Sequence, residues 1–358
     1  MINVTKTYLP PFEEYETYLK KIWKSNWVSN NGPLVIELEA ELKKKLGSKY
    51  VFFTGNGTIA IQIAIKVLGL TKEIITTPYS YVATTTSVLW ENCKPVFADI
   101  DPETCCIDPS LIEEKITADT EAILATHVYG IPCAIEKIEK IAKKHNLKVI
   151  YDAAHAFGAV YKNKPLASYG TISTLSFHAT KLFHTIEGGA ILTDNDELAT
   201  KISLYRSFGH VGDEYFSIGI NGKNSEFHAA MGLCLLDKVS SFIERRKELF
   251  AEYDNALKRA GLLRPMFPEG TIYNYAYYPV IFKNEADVLK VKNALAEQSI
   301  NARRYFYPSL NKLPYITSAD SCPVSEDYAK RVLCLPLYYE LASEDVARIS
   351  SIIVKSLV

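Results

Sequence analysis

The stretch KYVFFTGNGTIAIQIAIKVLGLTKEIITT, residues 49–77, contains two short apolar segments with a longer one between them. The short segments, Lys49–Phe53 and Glu73–Thr77, predict strands, and the longer one, Gly57–Leu70, predicts a helix. Strands of almost wholly apolar residues are typical of a parallel sheet that is covered on both faces. The stretch therefore predicts a β–α–β unit of an α/β fold.

The pattern extends in both directions from this unit. It predicts the helices Phe12–Ser25, Pro33–Leu46, Val82–Glu91 and Ala134–His145, and the strands Pro95–Ile100, Glu121–His127 and Lys148–Asp152. Strands and helices that alternate in this way imply right-handed crossovers. We therefore predict a doubly wound α/β sheet for the first two-thirds of the chain.

From Ser225 onward the pattern changes to a long helical stretch, Glu226–Ala260. The further predicted elements are the strand Tyr275–Phe282 and the helices Glu285–Gln298 and Ser343–Val358. We place a domain boundary inside the long helix. The chain then divides into a large α/β domain, residues 1–240, and a smaller C-terminal α+β domain, residues 241–358.

Composition excludes several classes of protein. The 358 residues include 40 Lys and Arg against 41 Asp and Glu, a balance unlike that of proteins that coat nucleic acid or an anionic membrane. The first residues lack a secretory pattern, and no apolar run is long enough to span a bilayer. The seven cysteines form no CxxC pair, so we expect buried thiols in a reducing cytoplasm and no metal site.

A glycine-rich turn, Gly55–Ala60, follows the first strand of the opening stretch. It matches the dinucleotide fingerprint GxGxxG/A. The fingerprint also requires an acidic residue at the end of the second strand, but that strand ends in Thr76-Thr77-Pro78. Two interpretations remain open with equal weight: an anion site for a phosphate at a helix N-terminus, or an ordinary turn in which Thr58 caps the helix.

Two ionisable residues lie near strand ends farther along the chain. Asp152 ends a predicted strand, and Lys181 stands between two apolar segments in TLSFHATKLFHTIEGGAILTD. A desolvated lysine is a nucleophilic amine. Together with a phosphate site, these are the groups that a pyridoxal phosphate (PLP) enzyme requires. A snorkelling Lys181 and a helix-capping Asp152 are an equally weighted alternative at this point.

The motifs GNGT, PYSYVAT, YDAAHAFGA, SFHATK with the following EGGA, and NGKNSEFHAAMG occur in this order. In this respect the chain resembles the DegT/StrS family of PLP-dependent sugar aminotransferases, which have the aspartate-aminotransferase fold. The resemblance runs from Ser25 to Leu341, and SFHATK with the downstream glycines is its most specific element.

The resemblance implies a role for each matching residue. Lys181 is expected to form the Schiff base, Asp152 to pair with the pyridine nitrogen, and Tyr81 to stack on the cofactor. The residues expected to hold the phosphate are Gly57, Thr58, Ser176 and, from the neighbouring subunit of a homodimer, Asn221. His155 stands where the family usually has Gln facing the phenolic oxygen, and a neutral His retains one hydrogen-bond donor. A charged His155 would stabilise the phenolate instead.

The resemblance also implies the reaction. The amino group of L-glutamate is expected to move to C-3 or C-4 of a dTDP-linked keto-6-deoxyhexose, for bacterial surface glycans. Sugar contacts are expected from loops such as Trp27–Gly32 and Arg303–Tyr307, although the second is equally consistent with an edge strand bearing surface arginines. The alternatives are a PLP-dependent sugar dehydratase, a cyclitol aminotransferase and a regulator without turnover. Lys181 disfavours the dehydratase, because some such family members have His there.

Overall fold

The computed structural model describes residues 1–317 and 320–357. Its helices α1–α12 are Phe12–Ser25, Pro33–Leu46, Gly57–Val67, Val82–Trp90, Pro109–Ile112, Ile135–His145, Asp196–Tyr205, Glu226–Leu236, Val239–Leu257, Glu285–Glu297, Pro323–Arg331 and Ser343–Leu357. Its strands β1–β16 are Ile2–Asn3, Tyr50–Thr54, Glu73–Thr76, Lys94–Phe97, Thr120–Thr126, Lys148–Asp152, Val160–Tyr161, Lys164–Pro165, Ile172–Ser176, Gly189–Thr193, His210–Val211, Glu214–Tyr215, Thr271–Ile272, Tyr278–Ile281, Ile300–Asn301 and Val332–Leu335.

A seven-stranded sheet in the order β2-β10-β9-β6-β5-β3-β4 forms the centre of the molecule. Strands β3, β4, β5, β6 and β9 pair in parallel, whereas β10 runs antiparallel to both β2 and β9. The α/β architecture is confirmed, and the sheet is mixed rather than wholly parallel. The carboxyl ends of β2, β6 and β9 lie at one edge, where open α/β sheets bind ligands.

Both faces of this sheet are buried, as the apolar strands predict. Ile74 and Ile75, adjacent in β3, belong to separate clusters of buried residues because successive side chains point to opposite faces. Helices α3, α4 and α7 contribute side chains to the cluster of Ile74, and α2 and α6 to that of Ile75. The doubly wound arrangement is therefore confirmed.

The predicted helix Glu226–Ala260 is wrong as a single element. It is two helices, α8 and α9, and neither Asp237 nor Lys238 between them belongs to a helix. Helix α9 packs on the C-terminal helix α12, and its Phe250 and Tyr253 rings contact Tyr278 in β14, which pairs with β16. The division into two domains at residue 240 remains a prediction. Strand β1, at the start of the chain, pairs with β15, which lies in the predicted C-terminal domain.

The two N-terminal helices have the predicted bounds. Pro33 begins α2, where its missing N–H costs no hydrogen bond, and Gly47 ends it with a φ of 60°. The last predicted helix is confirmed from Ser343 to Leu357, and Val358 lies outside the described residues. Among the residues that the structure describes, no helix is both long and apolar enough to cross a membrane.

Candidate active site

A cavity of about 260 Å³ opens at the carboxyl edge of the sheet. The predicted site residues that line it are Gly57, Thr58, Tyr81, Asp152, His155, Ser176 and Lys181. They come from the ends of β6 and β9, from the first turn of α3 and from the loops that follow β3, β6 and β9. Residues separated by more than 120 positions in sequence therefore share one cavity.

The first turn of α3 forms a cradle for an anion. Asn56 is the N-cap, because its Oδ1 accepts the Ile59 N–H at 2.8 Å, so Thr58 is not needed as the cap. The first N–H groups of a helix have no intrahelical acceptor, and they point out of its N-terminus. A Cβ on Gly57 would lie 2.9 Å from the Ser176 Cβ, so only glycine allows this close approach.

The second glycine of the EGGA motif supports the same cradle. A Cβ on Gly189 would lie 2.5 Å from the Asn56 carbonyl carbon and 2.8 Å from the Gly57 nitrogen. Strand β10 can pass behind the turn only with a glycine at this position. The sequence singled out the glycine pair, and the structure gives it this steric reason.

Asp152 ends β6 and is 5% exposed. Its Oδ2 accepts the Thr84 hydroxyl at 2.7 Å, and its Oδ1 accepts the Ala154 N–H at 3.1 Å. Burial raises the pKa of the Asp152 carboxyl, and these two hydrogen bonds and the charge of Lys181 oppose that rise. Asp152 faces the cavity and does not cap a helix.

Lys181 lies in the loop after β9 and faces the same cavity. Burial lowers the pKa of its amine, which the negative charge of Asp152 partly counteracts. The amine donates a hydrogen bond to the Tyr277 hydroxyl at 3.3 Å. A partly desolvated amine with one neutral partner matches the nucleophile that the sequence predicts, and not a snorkelling surface lysine.

His155 is buried with an uncharged ring. Its Nδ1 accepts the Tyr129 N–H at 3.2 Å, which assigns the remaining ring proton to Nε2. Burial, followed by the nearby charge of Lys181, lowers the pKa of His155 well below its ordinary value. The ring stacks on Phe306 at 5.6 Å and meets Tyr277 edge-on at 4.9 Å. The neutral donor of the two predicted possibilities is the one that this geometry favours.

The other two predicted residues lie at the periphery. Tyr81 immediately precedes α4 and is 53% exposed, with its ring available at the cavity. Asn221 is exposed and does not line the cavity of its own chain. Its neighbour Gly222 accepts the Gly55 N–H at 3.0 Å, so Asn221 lies beside the anion cradle without entering it.

The Arg303–Tyr307 segment splits into two parts. Arg303 and Tyr305 line the cavity, with the guanidinium 4.8 Å from the ring centroid. Arg304 instead pairs with Glu285 at 2.7 Å and stacks on Tyr307. The segment is not an edge strand, since it makes one isolated β-bridge, between Arg303 and Cys334. The loop Trp27–Gly32 supplies no residue to the cavity of its own chain.

Sequence reasoning missed two supports of the site. Tyr277 contacts Lys181 from a position 96 residues away, and Thr84 reaches Asp152 across 68 residues. Thr84 stands in the quoted motif PYSYVAT, so its place beside Tyr81 was a usable signal. Nothing in the sequence distinguished Tyr277 from its tyrosine neighbours.

The seven cysteines are buried free thiols, as predicted. Within residues 1–317 and 320–357, no group of three or more His, Cys, Asp or Glu side chains is arranged to hold a metal ion.

An anion cradle, a buried carboxylate and a partly desolvated lysine in one cavity are the donor set that PLP requires. With the mixed α/β fold, they define a PLP-dependent enzyme of the aspartate-aminotransferase fold. The DegT/DnrJ/EryC1/StrS aminotransferase family matches residues 12–354. The chain belongs to this family and is a PLP-dependent aminotransferase.

Three known proteins illustrate the relationship. The chain is 43% identical to the dTDP-4-amino-4,6-dideoxy-D-glucose transaminase of Shigella dysenteriae over 359 residues, which cover 98% of each chain. The structure of DesI with its TDP-sugar product superposes with a TM-score of 0.95 at 32% identity, covering 99% of this chain and 93% of DesI. The structure of NtdA from Bacillus subtilis with bound cofactor PMP superposes with a TM-score of 0.88 at 30% identity, covering 96% of this chain and 82% of NtdA.

Proposed function

We propose that the protein transfers the amino group of L-glutamate to the C-4 keto group of a dTDP-linked 4-keto-6-deoxyhexose. The 43% identity to a dTDP-4-amino-4,6-dideoxy-D-glucose transaminase over nearly the whole of both chains supports this substrate. It also favours C-4 over C-3, which the sequence left open. We further propose a cytoplasmic enzyme that supplies amino sugars for surface glycans.

The convergence of Lys181, Asp152 and the anion cradle on one cavity carries this proposal. A regulator without turnover does not require a desolvated amine beside a buried carboxylate. A sugar dehydratase of the family with His in place of the lysine is disfavoured because Lys181 is present. A cyclitol aminotransferase shares the same chemistry, and only the substrate panel below separates it.

In the proposed mechanism, the residues other than Lys181 bind and polarise the cofactor. The first-turn N–H groups of α3, with the Thr58 and Ser176 hydroxyls, would hold the cofactor phosphate. Asp152 would keep the pyridine nitrogen protonated, and His155 would offer its Nε2 proton to the phenolic oxygen. When bound, PLP supplies an electron sink for the substrate carbon.

Lys181 has two tasks in this mechanism. Its amine would hold the cofactor covalently, and the free amine would move a proton on the substrate carbon as a general base. A lowered pKa favours both tasks, because only the unprotonated amine is a nucleophile or a base. Tyr277, at 3.3 Å, orients the released amine.

The outer part of the cavity suits a nucleotide sugar. Among the described residues that line the cavity, Arg303 is the single arginine. Arg303 is exposed, and we propose that it contacts the diphosphate. Binding energy from the nucleotide then supports the reaction at the distant sugar carbon.

We also propose a homodimer with shared active sites. The hairpin segment, residues 208–220, exposes apolar side chains, with Tyr215 at 78% and Ile218 at 86%. Helix α1 does the same with Phe12 and Trp23. Contiguous exposed apolar surface marks an interface, and the hairpin segment leads directly to Asn221. A second copy seated there would bring Asn221 to a neighbouring phosphate. Sedimentation of a fully active monomer would contradict this.

A substrate panel with L-glutamate as donor tests the function. The panel contains dTDP-, UDP- and GDP-linked 4-keto-6-deoxyhexoses, the dTDP-linked 3-keto isomer, the free sugar and a simple keto acid. We expect the dTDP-linked 4-keto sugar to give the highest kcat/KM and a product whose mass reports amine in place of oxygen. The free sugar should react far more slowly. A UDP-linked sugar or a keto acid with a higher kcat/KM would overturn the substrate assignment, and Lys181→Ala is the control.

A further inference from the structure

Three buried hydroxyl groups stand in a line behind the Asp152 carboxylate. The Thr84 Oγ1 lies 2.7 Å from the Asp152 Oδ2, the Ser80 Oγ lies 2.7 Å from the Thr84 Oγ1, and the Thr126 Oγ1 lies 3.2 Å from the Ser80 Oγ. Each of the three residues is at most 1% exposed. Thr126 pairs with Asp152 across β5 and β6, while Ser80 and Thr84 flank the start of α4.

The ionised carboxylate sets the direction of every proton in this chain. An ionised Asp152 can only accept, so Thr84 donates its one hydroxyl proton to it. The Thr84 oxygen must then accept from Ser80, and the Ser80 oxygen accepts from Thr126. All three O–H dipoles therefore point toward the negative charge. Hydrogen bonds aligned in this way strengthen one another in a buried site.

We propose that Thr84, backed by Ser80 and Thr126, is a positioning residue that keeps Asp152 ionised and aimed at the pyridine nitrogen. The inference rests on the proposed role of Asp152. Burial alone disfavours a charged carboxylate, and the hydroxyl chain supplies the opposing stabilisation. Thr84 and Thr126 do not line the cavity, so they act on the cofactor only through Asp152.

The next residue along the chain provides a matched control. Thr85 is also fully buried, and within the described residues its hydroxyl has no hydrogen-bond partner. Thr84→Val and Thr85→Val each replace a hydroxyl with a methyl group in the same turn of α4. Only the first removes a bond to Asp152.

The experiment compares the holoenzymes of the wild type and these two variants. Thr84→Val removes a hydrogen bond to a charged group, so we expect kcat to fall by roughly tenfold to a hundredfold, with little change in KM. Its PLP dissociation constant should rise. A weaker pyridinium charge should also raise the pH midpoint of the visible absorbance titration. Thr85→Val should match the wild type in kcat, in the PLP dissociation constant and in the absorbance midpoint.

Thr126→Val is the second variant, because it removes only the far end of the chain. It should shift the absorbance midpoint in the same direction as Thr84→Val, but by less, and it keeps the test decisive if Thr84→Val fails to fold. A midpoint and dissociation constant equal to those of Thr85→Val would overturn the inference. If the wild type itself bound no PLP, the proposed role of Asp152 would fail instead.

Discussion

His155 is uncharged in the folded protein, and this predicts a specific pH dependence of folding stability. The Nδ1 atom accepts the Tyr129 N–H and is therefore unprotonated, and burial lowers the pKa of the ring well below 6.5. In the unfolded chain a histidine titrates near its ordinary pKa of about 6.5. Below that pH the unfolded state binds a proton that the folded state excludes.

The magnitude follows from proton linkage. Stability from this group is fully present above about pH 6.5 and falls as the pH decreases, until the pH reaches the lowered folded pKa. Across that window the free energy of unfolding should fall by about 1.4 kcal/mol per pH unit. His155→Gln replaces the ring with an amide that does not titrate, so the variant should lack this component of the slope.

Urea unfolding of the apo-protein at several pH values between about 7 and 5 measures the effect. The difference between wild type and variant cancels the carboxylates and the other histidines that both proteins share. For His127→Gln, the difference in unfolding free energy from the wild type should change with pH by the same amount per unit. The reason is that burial lowers the pKa of His127 to about 3 and its Nδ1 accepts the Cys133 N–H at 3.1 Å. For Thr85→Val, this difference should not change with pH. A difference that does not change with pH would refute a neutral His155.

Three further predictions concern the chemistry. Borohydride reduction and peptide mapping should place the pyridoxyl mass on Lys181, and Lys181→Ala should bind PLP without transamination; a label on another lysine would exclude the assignment. Asp152→Asn should lower kcat by roughly tenfold to a thousandfold, since it keeps the shape and removes the charge, whereas near wild-type turnover would contradict the role. Inactive Lys181→Ala and Asn221→Asp chains, mixed and refolded, should recover partial activity, because one site of a mixed dimer has both native residues; no recovery would count against shared sites.

Much of the site was readable from sequence because its key residues follow strands. Asp152 ends an apolar segment, and the carboxyl ends of parallel strands converge. Lys181 and Gly189 likewise flank segments with clear strand patterns. Tyr277 was not predictable, since only tertiary packing brings it to Lys181. The motif PYSYVAT drew attention to the neighbourhood of Thr84, but not to the hydrogen bond that its hydroxyl makes with Asp152.

Two features of the fold were hidden for physical reasons. Strand β10 runs antiparallel, but a strand buried on both faces is apolar whichever way it runs, so its composition does not report direction. The break between α8 and α9 contains neither Gly nor Pro, and Asp237 and Lys238 keep nearly helical dihedral angles. The helical pattern therefore continues across it.

The distribution of hydrogen bonds decides which buried group keeps its charge. Burial drives Asp152, Lys181 and His155 alike toward their neutral forms. The neutral form is the useful one for Lys181, as a nucleophile, and for His155, as a donor, and at Lys181 the charge of Asp152 only partly counteracts the effect of burial. Lys181 meets a single phenol, and the Tyr129 N–H fixes the uncharged ring of His155. Only Asp152 must stay ionised, and only Asp152 receives a backbone N–H and a hydroxyl backed by two more. The site thus keeps one of three desolvated groups charged by giving it several donors, whereas the single N–H that His155 accepts fixes a neutral ring.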